Sequence, residues 1–99
     1  MNVIAPRTLR AFWTKHPHAE TPLRAWLKDV QKASYANFAE LRRAHATADY
    51  LASAELTIFN IGGNKYRLVT FIRYTSRSIF IKRVMTHAEY DKWNEGRPV

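Results

Sequence analysis

In Ile81-Lys82-Arg83-Val84-Met85-Thr86-His87-Ala88-Glu89-Tyr90-Asp91-Lys92-Trp93, a run with strand character passes directly into one with helical character. Thr86 and Glu89 have the spacing of a capping box, which makes Thr86 the expected N-cap and His87 the first helical residue. Backbone N–H groups and the positive end of the helix dipole converge at such a position and favour a phosphate. Tyr90 follows at i+3 on the same helix face. An imidazole and a phenol placed together beside cations are suited to moving protons around a phosphodiester. A capping box is common, however, and a histidine at a helix start is ordinarily just a solvated side chain. The chemical reading therefore depends on what the rest of the fold brings alongside.

The elements that must do this separate into two halves. In the first, Val3 and Ile4 suit a short edge strand, Pro6 suits a first helical turn, and Leu9, Phe12 and Trp13 recur at helical spacing until Pro17 interrupts them. Thr21 is the expected N-cap of a second helix with Pro22 at its first position, and Leu23, Trp26, Leu27 and Val30 form its apolar stripe. Asn37 can cap a third helix over residues 38–43, with Glu40 at the capping-box position; residues 44–55 give little signal. In the second half, residues 56–61, 65–74 and 79–85 are rich in β-branched and aromatic residues. Gly62-Gly63-Asn64 and residues 75–78 separate them as turns, so they read as a three-strand meander.

Pairing follows from the turns. The second turn puts Tyr74 opposite Ile79, Phe71 opposite Lys82 and Arg67 opposite Thr86, unless a bulge shifts the register by one; the first puts Asn60 opposite Arg67, with a glycine-promoted bulge expected there. Alternation then gives a core face of Tyr66, Leu68, Thr70, Ile72, Tyr74, Ile79, Ile81 and Met85. The opposite face mixes Asn60, Lys65, Arg67, Arg73 and Lys82 with Ile58, Val69, Phe71, Phe80 and Val84, a surface on which bases and phosphates can both rest. Arg83 falls on the core side in this register, which calls for a snorkelling side chain or a local change of pairing.

Composition limits the possibilities. The 99 residues fit one domain, 1–99, with 46% hydrophobic and 24% charged residues, so neither a disordered nor a fibrous chain is expected. No cysteine is present, which excludes disulfides, thiolate metal sites and a cysteine nucleophile. No apolar window is long enough for a membrane span and the first residues lack a signal-peptide core, so a cytoplasmic protein without a membrane partner is expected. Sixteen Lys and Arg against eight Asp and Glu give +8, a charge that draws polyanions. His16, His18 and His45 complete no metal-ligand set. Trp13 and Trp26 sit on apolar helical stripes and belong to the core. Gly62-Gly63-Asn64 lacks the following helix of a nucleotide loop and reads as a hairpin turn.

Phe59-Asn60-Ile61-Gly62-Gly63-Asn64-Lys65-Tyr66-Arg67-Leu68-Val69, followed by Phe80-Ile81-Lys82 and by Thr86-His87-Ala88-Glu89-Tyr90-Asp91, resembles the HigB branch of the RelE/ParE toxin superfamily, most of residues 56–93 being covered. The resemblance implies an α+β, RelE-like fold with N-terminal helices packed on a small antiparallel sheet and a short C-terminal helix. It implies a metal-independent bacterial mRNA interferase without cofactor, acting in the ribosomal A site and neutralised by a HigA-like helix-turn-helix antitoxin, through which alone operator DNA would be contacted. In the implied chemistry the ribose 2′-hydroxyl attacks the adjacent phosphate, leaving a cyclic phosphate and a 5′-hydroxyl. Carried onto this chain, Arg67 and Lys82 would neutralise the scissile phosphate, and His87 and Tyr90 would transfer protons or position the base. Asn60, Asn64, Lys65 and, on the same face, Arg73 would contact RNA. Arg83 departs from the apolar or acidic residue usual there and is not assigned a catalytic role. A ParE-like gyrase-binding toxin and a non-catalytic basic nucleic-acid-binding regulator stay open as alternatives, and the His87 and Tyr90 pair argues against both.

Overall fold

The structure, a computed structural model, describes residues 1–96. In chain order it runs β1 (Asn2–Ile4), α1 (Arg7–Lys15), a 3-10 turn (Pro17–Ala19), α2 (Glu20–Lys32), α3 (Phe38–Ala44), β2 (Asp49–Leu51), β3 (Leu56–Ile61), β4 (Tyr66–Arg73), β5 (Ser78–Thr86) and α4 (His87–Glu95). The fold is α+β. One five-stranded sheet has the order β1-β5-β4-β3-β2, antiparallel throughout except that β1 joins β5 in parallel. The sequence of residues 96–99 reads as a frayed tail, and beyond Gly96 it lies outside the described residues.

Helix α1 buries Leu9 and Trp13, and α2 buries Leu23, Trp26 and Val30. Together with Leu41 of α3 they cover the sheet face that carries Phe59, Ile61, Leu68, Ile72, Ile79 and Ile81. Both expected tryptophans are core residues: the Trp26 ring meets Phe59 edge-on at 5.2 Å. The N-cap expected at Thr21 is corrected. Residues 17–19 wind as a 3-10 turn that leads straight into α2, so that helix begins at Glu20 and Ala19 is its N-cap. Thr21 and Pro22 then fall inside the first turn, where the missing proline N–H is harmless because first-turn donors have no partner within the helix. Asn37 caps α3 as expected, its Oδ1 accepting from the Glu40 N–H at 2.9 Å, but the Glu40 carboxylate reaches the N–H of Ala36 instead of that of Asn37.

The first hairpin pairs Asn60 with Arg67 as read, and no bulge interrupts β3 and β4; Gly62 (φ 63°) and Gly63 (φ 72°) supply the left-handed backbone that its turn requires. The second hairpin differs from the reading. Its turn occupies Tyr74, Thr75, Ser76 and Arg77, so Arg73 pairs with Ser78 and Phe71 with Phe80, two positions away from the expected partners. Arg77 takes a positive φ of 54°, and its side chain is held by the Ser34 hydroxyl at 2.9 Å and by the Tyr74 carbonyl. A shift of two leaves every face unchanged. Farther along, Thr70 pairs with Ile81 but Val69 with Arg83, which leaves Lys82 as the extra residue of a bulge.

That bulge reverses the facing of the rest of β5. Met85, expected with the main core, instead packs with Ile58 and Val69 on the opposite face, while Val84, expected opposite, packs against the main core. Arg83, the residue that did not fit the simple register, shares the outer face of its partner Val69. This outer face is not open along its whole length: Tyr90 and Trp93 of α4 pack on the Ile58, Val69 and Met85 cluster.

Candidate functional site

Where α4 stops covering the outer face, a cleft of about 320 Å³ opens. Its floor is Ile58, one wall is Asn60, Arg67 and Tyr90, and the other is Arg42, Thr47, Ala48 and Asp49. The volume is at the small end of ligand-binding clefts. Asn60, Arg67 and Tyr90 were singled out from sequence and the fold gathers them. Asn60 and Arg67 are cross-strand partners, and α4 carries Tyr90 over them.

Arg67 is the least ordinary group here. It is 9% exposed, and among the described residues no carboxylate lies within ion-pair distance of it. Its Nη1 donates to the carbonyls of Asn64 and Tyr66, both at 3.2 Å, and its Nη2 donates to Asn64 Oδ1 at 2.6 Å. Its guanidinium carbon stands 5.8 Å from the centroid of the Tyr90 ring. Buried charges are ordinarily paired with an opposite charge. Here neutral oxygens fix the fork and the aromatic face accompanies it, so the positive charge is oriented without being neutralised.

Asn64 thus spends its side-chain oxygen on Arg67, and the same turn anchors the last helix: the His87 N–H donates to the Lys65 carbonyl at 2.9 Å. Thr86 forms the expected capping box, its Oγ1 accepting from the Glu89 N–H at 3.2 Å and its own N–H donating to Glu89 Oε1 at 2.9 Å. His87 is the first residue of α4, with Nδ1 at 3.0 Å from Asp91 Oδ2. A carboxylate at this distance from Nδ1 sets the imidazole's orientation and turns Nε2 away from Asp91. Asp91 was part of the quoted motif but had no role assigned; its i+4 spacing from His87 was the available signal.

His87 and Lys82 are not among the residues lining the cleft. Lys82 follows Ile81 at the bulge and is exposed; alternation from inward-facing Ile81 puts it on the outer face, where Arg83 also stands. From the pairing of Met85 with Arg67, the backbone of Lys82 is roughly 11 Å from that of Arg67. Arg73 shares the face but lies six residues along β4, about 20 Å away, and takes no part in the cleft.

Arg42, Thr47 and Asp49 were missed in the sequence. They belong to α3 and to the weak 44–55 segment, where a three-residue strand leaves almost no periodic signal. His45, which ends α3, is also committed elsewhere: its Nε2 lies 3.2 Å from the Tyr35 hydroxyl and its ring meets Phe59 edge-on at 5.1 Å. Burial lowers its pKa below the ordinary imidazole value, with the Asp29 charge opposing. His16 stacks on Phe12 at 4.4 Å.

A family model described as HigB toxin, the RelE-like toxic component of a toxin-antitoxin system, matches residues 19–93. The mRNA interferase toxin HigB of Escherichia coli K12 is 29% identical over 92 residues, covering 92% of this chain and 88% of the relative. The mRNA interferase HigB of Shigella flexneri matches to the same extent, 29% over 92 residues. The mRNA interferase HigB of Escherichia coli O6:H1 is 24% identical over 93 residues, covering 93% of this chain and 90% of the relative.

Proposed function

Since the chain belongs to the HigB family of RelE-like toxins, the toxic components of toxin-antitoxin systems, we propose that it is an mRNA endonuclease working at the Arg67 and Tyr90 cleft. The observation that carries the assignment to this cleft is the buried, unneutralised guanidinium of Arg67 facing a space lined by an aromatic ring and polar groups. Such a charge is matched by a phosphate, most strongly by one gaining negative charge as it reacts.

In this reading the ribose 2′-oxygen attacks the adjacent phosphorus, the bond to the 5′-oxygen breaks, and the products are a 2′,3′-cyclic phosphate and a 5′-hydroxyl. One proton must leave the 2′-hydroxyl and one must reach the departing 5′-oxygen. The hydroxyl of Tyr90, which lines the cleft, and His87, one helical turn before it and outside the cleft lining but oriented by Asp91, are the groups assigned to exchange them; Arg67 stabilises the phosphorane charge. Lys82 adds positive charge from the bulge, and Arg73, Lys65 and Arg83 extend the cationic face along which an RNA backbone runs. No metal or cofactor is called on for any of these steps.

The substrate is messenger RNA in the ribosomal A site. The antitoxin is a HigA-like helix-turn-helix protein whose acidic and apolar side chains cover part of the basic surface, and contact with operator DNA passes through it. Mapping RNA 5′ ends after a short pulse of expression tests the function: new 5′-hydroxyl ends within open reading frames, dependent on translation and absent when the antitoxin is coexpressed, are expected. Full-level expression of the folded chain with no new ends overturns it.

A further inference from the structure

Asp49 is the single acid among the residues lining a cleft otherwise charged by Arg42 and Arg67. It pairs across β2 and β3 with Ile58, so its side chain shares the outer face of the cleft floor. Among the described residues it makes no ion pair with either arginine. Its Oδ1 instead accepts the N–H of Tyr50 at 3.0 Å, which holds the carboxylate in place. A carboxylate beside a polyanion's path repels phosphate and weakens binding, unless something in the bound molecule donates hydrogen bonds to it. In RNA the donors are the ribose 2′-hydroxyls and the N–H groups of the bases, and it is the Watson–Crick edge of a single-stranded base that can set two of them side by side against one carboxylate. The apolar floor at Ile58 and the Tyr90 ring give the flat, aromatic surroundings in which a base rests.

We propose that Asp49 is a specificity-determining residue that accepts hydrogen bonds from the Watson–Crick edge of one RNA base, guanine foremost. Guanine presents N1–H and N2–H side by side, two donors matched to one carboxylate, whereas adenine, cytosine and uracil each pair a donor with an acceptor that the carboxylate repels. The proposal deepens the nuclease reading and rests on it. Arg67 and Tyr90 act on the phosphate and its protons, and Asp49 selects which nucleotide is seated when they do.

The test is single-turnover cleavage of ribosome-bound messages, with ends mapped for the wild type, Asp49→Asn and Asp49→Ala, and with thermal melts run in parallel. Wild-type cuts are expected to be enriched in guanine at one fixed position from the broken bond. Replacing that guanine by inosine, which lacks the N2 amino group, is expected to slow the wild type about tenfold and to leave Asp49→Ala unaffected. Asp49→Asn, whose amide offers one acceptor and one donor, is expected to move the preference toward adenine. Profiles unchanged in both variants overturn the assignment while leaving the nuclease intact. So does complete loss of cutting by both variants with melts retained, because a base reader redistributes cuts and does not abolish them. Absence of cutting by the wild type is a different result and removes the nuclease reading itself.

Discussion

The guanidinium of Arg67 and the ring of Tyr90 stand 5.8 Å apart, one supplied by a central strand and the other by the last helix, and the same ring packs on the Ile58, Val69 and Met85 cluster. Tyr90 is therefore both the cover of a small apolar cluster and a wall of the cleft. Arg67→Lys keeps the charge and loses the planar fork that its three hydrogen bonds orient, so cleavage should fall on the order of 10²-fold. Single-turnover rates measure this, and an unchanged rate would mean that any cation serves at this position.

Tyr90→Phe retains the ring and its packing. If the hydroxyl takes part in proton exchange, cleavage should fall on the order of 10²-fold or more while the melting temperature stays close to that of the wild type. His87→Ala should have a comparable effect. Asp91→Ala leaves the imidazole in place but unguided, and a loss on the order of tenfold is expected, as for other groups that orient a reacting histidine. Equal rates for Asp91→Ala and the wild type would show that the His87 orientation is set in some other way.

The capping box predicts a stability effect that is separable from chemistry. Thr86→Ala removes the acceptor for the Glu89 N–H and should cost about 1 kcal/mol, read as a melting temperature about 4–8 °C lower. The double variant with Glu89→Ala should cost less than the two single losses added, since both belong to one reciprocal pair.

Stability should also respond to pH through His45. Burial holds its native pKa below the ordinary 6.5, so between those two values the unfolded chain binds more protons than the native one. The stabilisation is complete above the ordinary value and is lost as pH falls through this window. Melts taken from about pH 8 down to pH 5 should show the decline, and His45→Gln, which can still accept from the Tyr35 hydroxyl, should flatten it.

RNA affinity should fall steeply with salt, because phosphate contacts release counterions. Lys82→Ala and Arg73→Ala should each reduce the salt dependence with no effect on folding. Binding indifferent to salt would show that the cationic outer face does not carry the RNA backbone.

Much of this architecture was legible in the chain itself. Alternation of apolar residues marked β3, β4 and β5, because a half-buried strand sorts its side chains with a period of two wherever it lies. The stripes of α1 and α2 and the caps at Asn37 and Thr86 are equally local, each written within a few residues of the backbone groups they satisfy. The pairing of Asn60 with Arg67 is what one short turn between two strands gives by itself, whereas the glycine-promoted bulge expected at that turn is absent. What tertiary structure alone decided depends on contacts between distant segments. The Lys82 bulge is a mismatch between two strands, and each strand looks regular by itself. Yet that one extra residue moves Met85 beneath α4, turns Val84 inward and puts Arg83 on the outer face. Residues 49–51 are too short to show a period and become a strand only because β3 offers a free edge. Arg42 and Asp49 consequently reach the cleft through the packing of α3 and β2, a relationship that no local spacing encodes.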